Sequence, residues 1–223
     1  IDELYRYGII LNKKSSYIED YKKEISNCIQ SHEYKMILIN RIVDLEWRQF
    51  TVLNNIGKRA LCQDNYDYFK LMRESQFYLY SIELLKSYQN DLVEAENNNY
   101  NLLELKYAYM MESTDIDEFN KIKDRLPVIS QKRKELMEMI IEVQVEQMEQ
   151  FSKYNKDKTN LMRTIKTSTD TKNNTSYETY LRGELSSLSE KTMYLYGKLI
   201  KEYALNKKNF PEGVVNISLL LNR

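Results

Sequence analysis

The chain has 223 residues, enough for one substantial core or two small ones. Lysine plus arginine and aspartate plus glutamate each total 33, so the formal charge is zero, which argues against nucleic-acid or anionic-membrane binding through gross electrostatics. Cys28 and Cys62 make no disulfide framework and no metal spacing, no run reaches the roughly 18 apolar residues of a membrane span, and no signal peptide is visible, which together read as a reduced cytoplasmic protein.

Five glycines and two prolines are few for this length, and with 30% charged residues they point to long helices. Residues 1–14 read as a lead-in arm around Ile9, Ile10 and Leu11. Because the chain opens on isoleucine, it is also consistent with a piece of something longer. Ser16 caps an expected helix to about Gln30, His32 falls in a turn, and a second helix runs from Glu33 to Ile56, closed by Gly57. A loop spans Lys58–Asn65. A long helical stretch then runs from Tyr66 to Glu112, weakest at Asn97–Asn99. Ser113 to Asp115 offer a cap for a short helix ending before Pro127. Ser130 caps another long helix to about Tyr154. The polar stretch 155–174 reads as a mobile loop. Thr175 with Glu178 forms a capping box that opens a last helix to about Leu205. In the tail 206–223, Val214–Leu221 is apolar with β-branched residues and reads as a strand or an extended strap. The expected architecture is one all-α domain, 1–223, a bundle of about six to eight helices with a polar pocket in its core.

Each long helix interrupts its apolar stripe with a polar residue. Glu46 lies at the centre of a face made by Ile39, Ile42, Val43, Phe50 and Leu53. Gln76, beside Arg73, interrupts Phe69, Met72 and Tyr80. Gln144 interrupts Met137, Ile140, Ile141, Met148 and Phe151. Glu184 interrupts Tyr177, Leu181, Leu188, Leu195 and Leu199. Buried polar groups are costly and persist when paired or used. Pooled in one layer, these residues form either a structural network that fixes helix register or the lining of a ligand cavity. Gly183, next to Glu184, predicts close approach of another backbone or a ligand. Glu178 and Arg182 sit one turn apart on another side and predict a surface pair. The abundance of tyrosine, 19 residues, reads as codon bias without function.

One histidine cannot furnish the paired Glu-x-x-His motifs of a di-iron site, and no haem, zinc or nucleotide-cofactor motif is present. Carboxylate and arginine chemistry remains. Glu46 and Glu184 are the candidate catalytic acid and base, or oxygen ligands for Mg²⁺ or Mn²⁺. Arg59, Arg73, Gln76, Lys106, Tyr107 and Arg182 are candidates for binding a carboxylate or phosphate.

Six segments carry a resemblance: D-L-E-W-R-Q-F at 44–50, N-N at 54–55, R-A-L-C-Q-D at 59–64, M-R-E-S-Q-F at 72–77, K-Y-A-Y-M-M-E-S-T at 106–114 and T-S-Y-E-T-Y-L-R-G-E-L at 175–185. Over residues 36–205 the chain resembles a bacterial family defined as a domain of unknown function, numbered forty-one twenty-five. The resemblance implies a soluble bacterial protein and carries no activity. The carboxylates and arginines themselves give the leading expectation, a small-molecule enzyme acting on an anionic metabolite, with the loop at 155–174 over the site. The alternative is a non-catalytic module that binds a ligand or a partner protein, in which the polar layer is structural.

Overall fold

The computed structural model describes residues 2–53, 61–160 and 162–222, with side chains described for 18–53, 63–160 and 162–222. Among these residues the chain is all-helical. Ten α-helices follow one another: α1 Asp2–Thr51, α2 Tyr66–Phe77, α3 Ile82–Asn97, α4 Leu102–Thr114, α5 Ile116–Ile122, α6 Gln131–Tyr154, α7 Lys156–Thr159, α8 Tyr177–Ser187, α9 Glu190–Leu205 and α10 Phe210–Leu221. One isolated bridge, Thr171 with Asn174, is the extended pairing among them. No helix among the described residues is long and apolar enough to cross a membrane.

The count exceeds the expected six to eight because side-chain caps cut long periodic stretches into pieces. Ser81 and Asn101 accept from the first free backbone N–H groups of α3 and α4, which divides the stretch expected from Tyr66 to Glu112. The break at Asn97–Asn99 falls where helix propensity is weakest, and Asn99 turns the chain at φ 56°. The last expected helix likewise divides at Leu188, because Ser189 caps α9. The cap of α8 is Ser176, one residue past the expected Thr175, and Glu178 accepts from the Thr167 backbone instead.

Two further expectations change. The turn at His32 is helix, since α1 runs unbroken from Asp2 through both the expected arm and the first two expected helices. That helix ends at Thr51, and the Gly57 stop lies outside the described residues. The tail is neither strand nor strap: Asn209 caps α10, with Pro211 in its first turn, where a missing N–H costs nothing. Residues 155–174 hold α7, a 3₁₀ turn at Thr167–Thr169 and the Thr171–Asn174 bridge.

The chain forms two compact units, residues 1–38 and 39–223. In the first, α1 exposes Ile18, Tyr21, Ile25 and Ile29. The second holds a core of Ile39, Ile42 and Val43 from α1, Phe77 from α2, Leu84, Leu85 and Leu92 from α3, Ile140 and Ile141 from α6, Leu185 from α8, Met193 and Ile200 from α9, and Phe210 from α10. Two buried glutamines tie its ends together. Gln63 donates to the Phe50 and Leu53 carbonyls at 3.0 and 3.2 Å, which satisfies acceptors that the end of α1 leaves open. Gln49 accepts from the Leu102 backbone N–H at 2.9 Å and donates to the Leu92 carbonyl at 3.3 Å, so it joins α3 to the start of α4.

Candidate functional site

α4 and α8 make the most intimate helix pair of the body, and Gly183 is the reason. A Cβ at this position would lie 2.5 Å from Met110 Cγ and 2.7 Å from the Lys106 carbonyl oxygen. The bare glycine lets the two backbones approach, which is one of the two uses expected of it. Lys106 of α4 and Glu184 of α8 thereby face each other at the crossing, with Lys106 Nζ 3.1 Å from Glu184 Oε2.

From the other side α1 delivers Glu46 and α2 delivers Arg73. The guanidinium meets Glu46 in a two-pronged pair, Nε to Oε2 and Nη2 to Oε1, both 2.7 Å. It also reaches Glu184, Nη2 to Oε1 at 3.3 Å and Nη1 to Oε2 at 3.4 Å. Gln76, one turn along α2, accepts from Arg73 Nη1 at 2.8 Å and donates to Glu184 Oε1 at 2.9 Å. Tyr88 of α3 donates to Glu46 Oε1 at 2.5 Å. Side chains from five helices thus form one layer with two anions and two cations, and none of the four charged residues is more than 7% exposed. The Phe77 ring lies 4.7 Å from the Arg73 guanidinium carbon and closes one side.

The expected stripe on α2 is rotated from its actual buried face. Met72 is 43% exposed, whereas Arg73 is buried at the centre of the layer. The two carboxylates of interest lie close together: Glu46 Oε1 and Glu184 Oε1 are 2.7 and 3.3 Å from one nitrogen, which bounds their separation at 6.0 Å.

Gln144 sits apart. It is fully buried on α6, and its Oε1 accepts from Tyr177 at 3.1 Å and Tyr196 at 3.0 Å, while its Nε2 meets no partner. Its link to the charged layer runs through aromatic neighbours: the Tyr80 ring packs 5.6 Å from that of Tyr196, and the Tyr80 hydroxyl accepts from Gln76 at 2.6 Å. Tyr107 is half-buried and stacks on Phe50 at 6.2 Å in an aromatic group with Trp47 and Phe69. Arg182 points elsewhere, paired with Glu138 at 2.7 Å and Glu178 at 3.2 Å. It borders an open cleft with Tyr109, Phe119, Leu126 and Met137, which none of the four charged layer residues lines. Arg59 lies outside the described residues.

Tyrosine was the missed residue type. Tyr80, Tyr88, Tyr177, Tyr180 and Tyr196 surround or complete the network, although composition alone reads their abundance as codon bias. Their helical phase held the usable signal, since Tyr80, Tyr177 and Tyr196 fall on buried or half-buried faces beside the polar interruptions.

Electrostatics follow from the geometry. Burial pushes the Glu184 carboxyl up, but the charges and hydrogen bonds of Arg73 and Lys106 outweigh it and hold the group at about 2. Burial also opposes the charge on Arg73, yet Glu184 and Glu46 keep it firmly protonated. Burial raises Tyr88 and Tyr80 well above the usual phenol range, with Glu46 and Glu184 respectively adding to the effect. Tyr180 goes the other way. Burial raises it and Glu184 opposes its ionisation, but the charges of Lys106 and Arg73 prevail and lower it.

Among the described residues no group of three or more histidine, cysteine or acidic side chains is placed to hold a metal ion. Between Glu46 and Glu184, where a divalent cation would have to bind, stands the Arg73 guanidinium. No curated protein and no solved structure matches the chain. The sequence model of the family described as Protein of unknown function (DUF4125) matches residues 36–219, a span that contains the whole charged layer and all its tyrosines, and the chain therefore belongs to that family.

Proposed function

We propose that this protein is a non-catalytic ligand-binding module whose buried Glu46–Arg73–Glu184–Lys106 network fixes the register of α1, α2, α4 and α8. The observation that carries this reading is the closed charge balance of the layer. Two carboxylates meet two cations, and both Glu46 and Glu184 accept several hydrogen bonds in a nearly water-free setting. A general acid needs a proton to give near neutral pH, and a general base needs appreciable basicity. Glu184, held at about 2, has neither. A cation would have to displace Arg73, which leaves Mg²⁺ or Mn²⁺ disfavoured at this layer.

The alternative is an enzyme that uses Glu46 and Glu184 on an anionic metabolite, and one observation favours it. A carboxylate separation of at most 6.0 Å falls within the range of known two-acid sites. Thermal denaturation separates the two readings. A structural network loses stability when Glu46→Gln or Glu184→Gln leaves Arg73 or Lys106 short of an anion, so both melting temperatures should fall by several degrees. Residues kept for catalysis at the expense of stability do the opposite on neutralisation. Unchanged or raised melting temperatures in both variants would overturn the structural reading.

A further inference from the structure

The open cleft beside Arg182 is lined from α4, α5, α6 and α8 and holds about 610 Å³, within the size range of small-molecule sites. Part of its lining is apolar: Tyr109, Phe119, Leu126, Val128 and Met137. The loop that carries Leu126 and Val128 is tied to α4, because the Tyr109 hydroxyl donates to the Pro127 carbonyl at 2.7 Å. Val128 is nonetheless 96% exposed, an apolar side chain left in water on the edge of the cleft.

Three hydroxyls also line the cleft, those of Ser113, Thr167 and Thr179, and their protons are already committed. Ser113 and Thr179 both donate to Asp170 Oδ2, Thr179 at 2.5 Å. Thr179 then has no proton left, so the 2.9 Å bond between Thr167 and Thr179 runs from Thr167. The three oxygens keep lone pairs and have no O–H to give. A group seated against them must bring the donor itself.

Charge along the lining cancels. Lys123, Lys134 and Arg182 equal Glu112, Glu138 and Glu178 in number, and Arg182 is held by Glu138 at 2.7 Å and Glu178 at 3.2 Å. An ionic ligand would gain no net field there and would bring its charge against apolar side chains, which is costly. A neutral ligand carries no such cost.

We propose that this cleft binds a neutral amphipathic small molecule, with an apolar chain or ring on Phe119, Leu126 and Met137 and hydroxyl or amide groups donating to the Ser113, Thr167 and Thr179 oxygens. This inference deepens the ligand-binding reading and rests on it: it gives the module a site apart from the charged layer.

Calorimetric titration of the full chain tests the site with two probes of equal chain length, octyl glucoside below its micelle concentration and octanoate. Octyl glucoside has a neutral head rich in O–H donors, whereas the octanoate head is charged and only accepts. Saturable binding of one octyl glucoside per chain is expected, with octanoate several-fold weaker. Val128→Asp alters an exposed side chain, leaves the fold intact and puts a charge on the apolar lining, so it should weaken octyl glucoside several-fold. Thr167→Val keeps the shape and the Asp170 bonds but removes one accepting oxygen, and should also weaken it. Met139→Asp, the same kind of change at an exposed apolar residue outside the cleft, should bind as wild type. The site is overturned if octyl glucoside does not bind saturably, if octanoate binds as tightly, or if Val128→Asp and Thr167→Val both bind like wild type. Absence of binding together with a destabilised Glu184→Gln would sink this site alone. Binding together with a fully stable Glu184→Gln would keep the cleft and sink the structural reading of the layer.

Discussion

Glu46 and Glu184, carried on helices far apart in the sequence, share a single guanidinium: Arg73 Nη2 donates to Glu46 at 2.7 Å and to Glu184 at 3.3 Å. One side chain thus fastens α1 and α8 to α2. Removing it strands two carboxylates in a setting that can hydrate neither well. Replacing Arg73 with methionine keeps much of the volume and discards the charge. Breaking a buried ion pair in this way costs about 3–5 kcal/mol. At about 2–4 °C per kcal/mol for a chain of this size, the melting temperature should fall by roughly 10 °C. A fall of less than about 2 °C in a calorimetric scan would show that water reaches the layer freely.

The closeness of α4 and α8 gives a second expectation. Glycine inside a helix is ordinarily worth replacing, since alanine is favoured by about 1 kcal/mol. At Gly183 the sign should reverse. Met110 can swing its side chain away from a new Cβ, but the Lys106 carbonyl, 2.7 Å from that position, is backbone and must move with its helix. Gly183→Ala should therefore destabilise, by about 1–3 kcal/mol as for other overpacked sites. It should also lengthen the Lys106–Glu184 contact. Urea unfolding of the variant decides the matter, and equal or greater stability than wild type would mean that the two helices have room to spare.

Sequence periodicity led to much of this layer because a charged residue on an apolar stripe is a conspicuous exception. Glu46 and Glu184 stood out for that reason, and Gly183 beside Glu184 signalled a close approach. Arg73 was harder to place, because the turn after Phe77 ends α2 early and leaves too short a run to fix its phase against Met72. The tyrosines were misjudged because composition cannot tell a surface tyrosine from one whose hydroxyl finishes a buried hydrogen-bond chain. Helix breaks at Ser81 and Ser189 were missed since each lies between two apolar runs in similar phase, where only the cap marks the division. The convergence of Lys106 with Glu184 depends on a crossing between helices distant in sequence, and no local pattern encodes it.

Gln49 supplies a prediction away from the charges. Its amide serves the Leu102 N–H and the Leu92 carbonyl at once, and the side chain is 5% exposed. Gln49→Leu would fill similar space and leave the Leu102 N–H, in the first turn of α4, buried without a partner, while the Leu92 carbonyl keeps its bond inside α3. An orphaned group of this kind costs about 1–3 kcal/mol. Amide hydrogen exchange at Leu102 should accelerate sharply in the variant, while exchange in α9 changes no more than the loss of global stability requires. Equal acceleration everywhere would assign Gln49 a global role in place of the local one argued from its two bonds.

The depressed ionisation of Glu184 fixes how stability responds to acid. Its ordinary value is 4.5 unfolded and about 2 in the native protein. A group whose folded value is lowered contributes stability that is fully present above the unfolded value, and that contribution drains away as pH falls from about 4.5 through about 2. The difference corresponds to about 3 kcal/mol for this one residue, as an order of magnitude. Other acids also lose charge over the same interval, so the comparison must be internal. Glu184→Gln starts from lower stability at pH 7 but has no proton to gain at this position. Its unfolding free energy should consequently decline less steeply than wild type between pH 5 and pH 3, and the two curves should converge toward pH 2. Urea titrations at unit pH steps measure this directly. Parallel curves across the whole interval would mean that Glu184 is not held ionised by Arg73 and Lys106, and the charge-balanced layer would lose its central anion.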